Sequence, residues 1–428
     1  MKYIMLFLSH SLPKRINMKR NAMFNLKKCV KISILVYVII LILPQMQPLF
    51  TYYAYAQSDS SIVSEDKLIE EQAESEEVGL IEDKMRDYAD NGIRELLPEY
   101  DPSGFITNTA KGKFNLNLKG ILNAVFRYFF KEIYINIGIL IKLIVLIVLC
   151  AILKNLQSSF LSTSVGELAF FVCYMAIVSV LIVSLNSVLA TGRNIIDDMV
   201  NFMQSTIPIL ITLLVSSGNI TSGGIFQPLL VMIVEIVATI MKNIFIPIIL
   251  LSTILSLVNN ISDKVQISKL ASLIKQTGSV ILGLILTAFI AIITIQGSVG
   301  AVVDGVSSKT AKFAIGTFIP VAGKYLADAA DTVLGCTLLI KNASGIAVMI
   351  GIVSICLVPM IKIFALISLY KIAAVLVEPI AEKRIVTCIN DIAGSLTFVL
   401  GIVACVAFMF LIAITAIIAS SSISTAIR

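Results

Sequence analysis

The chain of 428 residues contains one His and no Trp, and charged residues make up only 14% of it. That single imidazole, His10, sits in a leader that reads as a cleaved signal, so the mature chain is expected to have none. Ser-His-Asp triads, His general bases and His-ligated metals are thereby excluded. The sequence also lacks a GxxxxGK[ST] phosphate loop, a GxSxG elbow and an HExxH pair, so nucleotide hydrolysis and the common hydrolase chemistries have no carrier. Its seven cysteines (Cys29, Cys150, Cys173, Cys336, Cys356, Cys388 and Cys405) form no CxxC pair. They read as small polarizable residues packed between helices rather than as a disulfide or zinc framework. No catalytic residue, metal or cofactor is expected, and the chain is not read as an enzyme.

What is present is apolar. Hydrophobic residues make up 57% of the chain and the mean hydropathy is +0.95, outside the range of soluble globular domains. The composition predicts an all-α polytopic membrane protein. Its net charge of +6 is unevenly spread. Residues 1–56 carry Lys2, Lys14, Arg15, Lys19, Arg20, Lys27, Lys28 and Lys31 with no Asp or Glu, followed by the apolar run Ile32 to Leu43 and the Ala54-Tyr55-Ala56 pattern. This is the layout of a signal peptide cleaved after Ala56, with the chain beyond it exported. Residues 57–119, with fifteen acidic against seven basic residues, read as an acidic extracytoplasmic segment. Its Ser- and Glu-rich part, Ser58 to Gly79, is expected to be disordered, and a loose helical pattern follows over Ile81 to Leu97. An amphipathic run, Leu118 to Glu132, places Ile121, Val125, Tyr128 and Phe129 on one stripe and is expected to lie in the membrane interface. No basic block outside the leader resembles a nucleic-acid footprint, whereas contact with the lipid bilayer follows directly.

Residues 120–428 are expected to form the polytopic domain, with seven to nine membrane segments. Clear spans are Ile133 to Leu153, Leu168 to Leu189, Ser279 to Gln296, Ala343 to Ile361, Ile363 to Val377 and Ile392 to Ala419. Thr206 to Val215 is too short to span alone and holds Pro208; Phe226 to Val258 is too long for one span and holds Lys242, Asn243 and Pro247. Broken helices are therefore expected at Pro208, Pro247, Pro320 and Pro359. Thr206-Ile207-Pro208 recurs as Phe318-Ile319-Pro320 and Ile246-Pro247 as Val358-Pro359, which suggests repeats over 195–296 and 307–419. Basic late loops, with Lys264, Lys269 and Lys275 in one and Lys383 and Arg384 in the other, belong on the cytoplasmic side.

Two sets of charges need partners. On a helix Lys324, Asp328 and Asp331 share one face, a polar stripe beside small residues; Glu235 and Lys242 form a second set seven residues apart. An ionisable cluster at membrane depth is a candidate polar pathway or interface. A helix lying at the membrane surface, or a structural pair with a snorkelling Lys, is the plainer reading of each set.

The signal peptide, the acidic segment ending in Leu97-Pro98-Glu99, and the stretch GTFIPVAGKYLADAADTVLGCTLLIKNASG (Gly316 to Gly345) together resemble the stage III sporulation protein AE family of endospore-forming bacteria. The resemblance spans Leu80 to Ile427. It implies a mother-cell membrane protein around the forespore that works with a secretion-type ATPase, ring-forming exported proteins and a forespore partner. That apparatus is channel-like and is needed for late forespore gene expression. The family supplies no catalytic motif. A polytopic subunit forming or lining a conduit is the leading expectation; a scaffold without a conduit and a secondary transporter of a small metabolite are the alternatives.

Overall fold

Long apolar stretches with few helix breakers satisfy their backbone hydrogen bonds internally, and the computed structural model is accordingly built from long helices. It describes residues 65–88, 104–112, 118–160, 163–261, 268–318 and 323–427, all within one unit, Val63–Arg428. The expected signal segment lies outside the described residues. Three short helices come first: α1 (Glu65–Ala73), α2 (Glu76–Asp87) and α3 (Phe105–Ala110). The long helices are α4 (Leu118–Phe160), α5 (Thr163–Ser216), α6 (Ile220–Ile240), α7 (Ile246–Ile261), α8 (Ser268–Phe318), α9 (Gly323–Val377) and α10 (Lys383–Ile427). A π-helical turn, Met241–Phe245, joins α6 to α7.

Six stretches among the described residues are long and apolar enough to cross a membrane: 119–155, 171–216, 220–259, 269–310, 329–377 and 383–420. The sequence reading expected seven to nine. Ala343 to Ile361 and Ile363 to Val377 are one helix, α9, and Thr206 to Val215 is the end of α5. The breaks expected at Pro208 and Pro359 are absent, because both helices continue through them. Length explains this: at about 1.5 Å per residue each stretch reaches roughly 55–75 Å, about twice the hydrocarbon core, so neighbours hold each helix on both sides of its proline. At Pro247 the helix is rewound rather than broken. The Ile246 N–H bonds to the Met241 carbonyl, five residues back, a wider turn that accommodates the proline ring. Pro320 lies outside the described residues.

Helix α10 is central, packed against α5, α7, α8 and α9. Leu396, Val403, Val406, Met409, Phe410 and Ile414 are fully buried along it. Glycines allow close helix approach: a Cβ on Gly351 of α9 would stand 2.4 Å from the Phe202 ring of α5, and one on Gly345 would stand 2.6 Å from Ile418 of α10. Helix α4 is peripheral. Its stripe of Ala124, Val125, Tyr128 and Phe129 packs on Leu357, Val358 and Ile361 of α9, with Phe129 and Phe364 5.3 Å apart. The amphipathic run expected in the membrane interface is therefore the first part of a continuous helix docked on α9. The opposite side of α4 exposes Phe126, Phe130, Tyr134, Ile141 and Val145, as a lipid-facing helix would.

The acidic segment is ordered from Glu65, against the expectation of disorder to Gly79. Ile69, Val78, Ile81 and Met85 are buried, α1 and α3 pack on α9, and α2 packs on α5 and α9. An ion pair between Lys111 and Glu70 ties α3 to α1. The composition argument failed here because four well-spaced apolar side chains suffice when a membrane helix supplies the other half of the core.

Candidate functional site

Helix α5 carries a polar ladder, Asn194, Asp197, Asp198, Asn201, Gln204 and Ser205, at spacings of three and four residues. Helix α6 and the π turn bring Glu235, Thr239, Lys242 and Asn243 alongside it. Between them lies a cavity of about 260 Å³, lined by Asp197, Asn201, Gln204, Glu235, Thr239, Lys242 and Asn243 together with Val200 and Ala238. Lys242 Nζ donates to both oxygens of Asp197, each at 2.8 Å, and both side chains are about 40% exposed. The Gln204 amide donates to Glu235 Oε2 at 2.8 Å. Glu235 and Lys242 thus line one groove, but each is partnered across to α5 and not to the other. At that exposure the Asp197–Lys242 pair fixes the geometry of the groove more than it stabilises the fold.

The groove is level with the N-terminal helices. Tyr88, at the end of α2, packs edge-on against Phe202, with ring centroids 5.5 Å apart, beside Asp198. Burial pushes the Tyr88 hydroxyl above its ordinary value of 10, and the carboxylates of Asp198 and Asp87 add to the shift. Helix α2 presents Glu76, Asp83, Arg86 and Asp87 outward beside this turn of α5.

Lys324, Asp328 and Asp331 all fall on the first turns of α9, so they share a face as their spacing requires. Asp331 is exposed. The side chains of Lys324 and Asp328 lie outside the described residues. Among the described residues no group of three or more His, Cys, Asp or Glu is placed to hold a metal ion.

Sequence reasoning missed three polar residues. Asp197 was overlooked because the α5 ladder lies between two apolar runs and outside either expected span; its spacing of three and four was the available signal. Asp304 of α8 is 2% exposed, and its two oxygens accept from the Thr221 and Ser222 N–H groups at 2.8 Å each. It caps the start of α6 from a neighbouring helix, where Asn219 makes no side-chain cap. Lys341 of α9 is fully buried, and its Nζ donates to the carbonyls of Ile417 and Ile418 at 3.2 Å. Asp304 and Lys341 are each a single charge inside a largely apolar run, but only the fold supplies the partner.

A second cavity of about 180 Å³ lies where α4 meets the turn between α9 and α10, beside Cys150, Lys154 and Glu382, with Lys154 and Glu382 paired at 2.8 Å.

The family model described as stage III sporulation protein AE matches residues 100–421. The stage III sporulation protein AE of Bacillus subtilis (strain 168) is 32% identical over 358 residues, covering 83% of this chain and 90% of that protein. No solved structure matches significantly.

Proposed function

This chain belongs to the stage III sporulation protein AE family, and from that premise we propose that it is the polytopic membrane subunit of a channel-like apparatus between mother cell and forespore. The polar groove on α5 and α6 carries the proposal. The buried core is mainly apolar, with Asp304 and Lys341 engaged by main-chain groups, whereas Asp197, Asn201, Gln204, Glu235, Lys242 and Asn243 gather on an outer surface. A conduit would then run between this subunit and its neighbours and not through its own bundle. By their spacing on α9, Lys324, Asp328 and Asp331 would form a second polar stripe of the path.

In this reading the chain sits in the mother-cell membrane around the forespore, with α1 to α3 on the extracytoplasmic side and the loops at Lys269 and Lys383 in the cytoplasm. A secretion-type ATPase would meet the cytoplasmic loops. Ring-forming exported proteins and a forespore partner would meet α1 to α3.

The test joins a cell assay to a purified one. Asp328→Asn with Asp331→Asn lowers a late forespore reporter while protein level is unchanged; full activity of the double variant removes α9 from the path. Liposomes carrying the purified chain together with its ring-forming partners leak a small polar dye. Tight liposomes from that assembled complex favour a scaffold that has no conduit.

A further inference from the structure

The first turns of α4 carry charge of one sign on their outer face. Lys119, Asn123, Arg127 and Lys131 recur every four residues, and all are exposed. Phe126, Phe130 and Tyr134 form a second ridge beside them. At 61%, 63% and 77% exposure these rings are not packed on α9 as Tyr128 and Phe129 are. Glu132 is the one acidic residue between Leu118 and Tyr134; it is buried and accepts from the Asn136 amide at 3.4 Å, so no carboxylate stands on this face. Lys131 lies over the Tyr128 ring at 5.7 Å. Among the described residues no ion pair involves Lys119 or Arg127.

Length sets the level of this face. Ile133 to Leu153 holds a single charge, Lys142, and at about 1.5 Å per residue it extends roughly 32 Å, the thickness of a hydrocarbon core. Lys131 and Arg127 then stand roughly 3 and 9 Å beyond its end, at the level of a headgroup layer about 5–8 Å thick. Exposed aromatic rings at that level match a membrane-interface belt. Ile137, Ile141 and Val145 continue the same exposed stripe at spacings of three and four, so lipid that covers them reaches the cationic ridge without interruption. In the orientation proposed above, these cations lie on the exported side. That runs against the positive-inside bias, so topology does not account for them.

We propose that the first turns of α4 are a binding surface for anionic phospholipid of the extracytoplasmic leaflet. Arg127 takes the headgroup phosphate through two oxygens and Lys131 adds a point charge beside it. Phe126, Phe130 and Tyr134 cover the glycerol and the upper acyl chain. A soluble phosphate would use the cations and leave the rings idle, whereas a lipid engages both. The leaflet rests on the proposed orientation; the preference for a negative headgroup does not, nor does it depend on whether the subunit forms a conduit.

The chain has no Trp, so Tyr134→Trp supplies a single emitter beside the ridge and Val145→Trp one deeper on the same stripe. Each full-length variant is reconstituted in phosphatidylcholine bilayers with a small fraction of phosphatidylglycerol or phosphatidylcholine brominated in its acyl chains. At position 134 brominated phosphatidylglycerol should quench with a relative affinity about three- to tenfold above phosphatidylcholine, the scale of surface attraction to one or two cations. At position 145 the two lipids should quench alike. Arg127→Gln with Lys131→Gln should bring the ratio at position 134 to within about twofold of unity. Both positions are exposed and Gln is a good helix former, so the double variant should fold, as circular dichroism verifies. Equal quenching by the two lipids at position 134, or a preference that survives the double substitution, overturns the proposal. Loss of the preference on adding inorganic phosphate at fixed ionic strength assigns the ridge to a soluble anion. A changed mass of the double variant by light scattering assigns it to an interface between copies, and either result also overturns the lipid surface. The dye-leak assay does not enter this measurement, so the two readings fail separately.

Discussion

Removing the Asp304 carboxylate should cost more stability than removing any exposed charge of the groove. The side chain is 2% exposed and its two oxygens accept from Thr221 and Ser222 at 2.8 Å. Each bond to an ionised acceptor contributes about 1.5–3 kcal/mol, and the N-terminal dipole of α6 adds about 0.3–1 kcal/mol. Asp304→Ala leaves both N–H groups without their acceptor and should destabilise the chain by about 3–7 kcal/mol. Asp304→Asn keeps one acceptor but turns an amide N–H₂ toward the other donor, so about 2–3 kcal/mol is expected. Ser222→Ala is the control: that buried hydroxyl makes no hydrogen bond among the described residues, so its loss should stay within about 0.5–1 kcal/mol. Equilibrium unfolding in mixed micelles, followed by circular dichroism, measures all three. Hydrogen exchange at Thr221 and Ser222 should rise in both Asp304 variants. If Asp304→Ala lies within about 0.5 kcal/mol of wild type, the cap is not what holds the start of α6.

Three shorter predictions follow from other contacts. Lys341 lies buried between α9 and α10, so Lys341→Met, which keeps the stem volume, should change stability by less than about 1 kcal/mol, whereas Lys341→Ala should cost about 2–5 kcal/mol through the cavity; equal losses in the two variants would mean that the amine, not the stem, matters. Gly351→Leu drives a side chain into the Phe202 ring and should separate α9 from α5, costing about 1–3 kcal/mol or more; cysteine crosslinking between the two helices would fall, and unchanged crosslinking refutes the close approach. The neutral Tyr88 phenol is favoured in the docked state, so docking of α2 is fully present below pH 10 and weakens as pH rises through the elevated value. Phenolate absorbance with a Tyr88→Phe comparison reads this, and a titration of Tyr88 at or below 10 contradicts it.

Family, helical class and membrane residence were legible in the linear chain because each depends on local quantities. Apolar run length, the scarcity of His and the Gly316 to Gly345 stretch need no knowledge of neighbours. Lys242 and Glu235 were also found in sequence, as charges in an apolar run. Their partners were not, since Asp197 and Gln204 are 45 and 31 positions away. The prolines show the same division. Pro247 was expected to break its helix and instead follows a π turn; whether the helix would break, rewind or continue depended on the helices packed around it.

Composition and periodicity thus determined that this chain is apolar, helical and without the common catalytic sequence motifs, because burial preference and helix propensity act within a few residues. The tertiary structure alone decided that α1 and α2 are ordered, that six long membrane-crossing stretches among the described residues take the place of seven to nine shorter ones, and that α10 is the core. It alone joined two carboxylates and one lysine into a single groove. Those outcomes depend on which distant side chains meet, and a contact between residues far apart in sequence leaves no periodic trace in the chain itself.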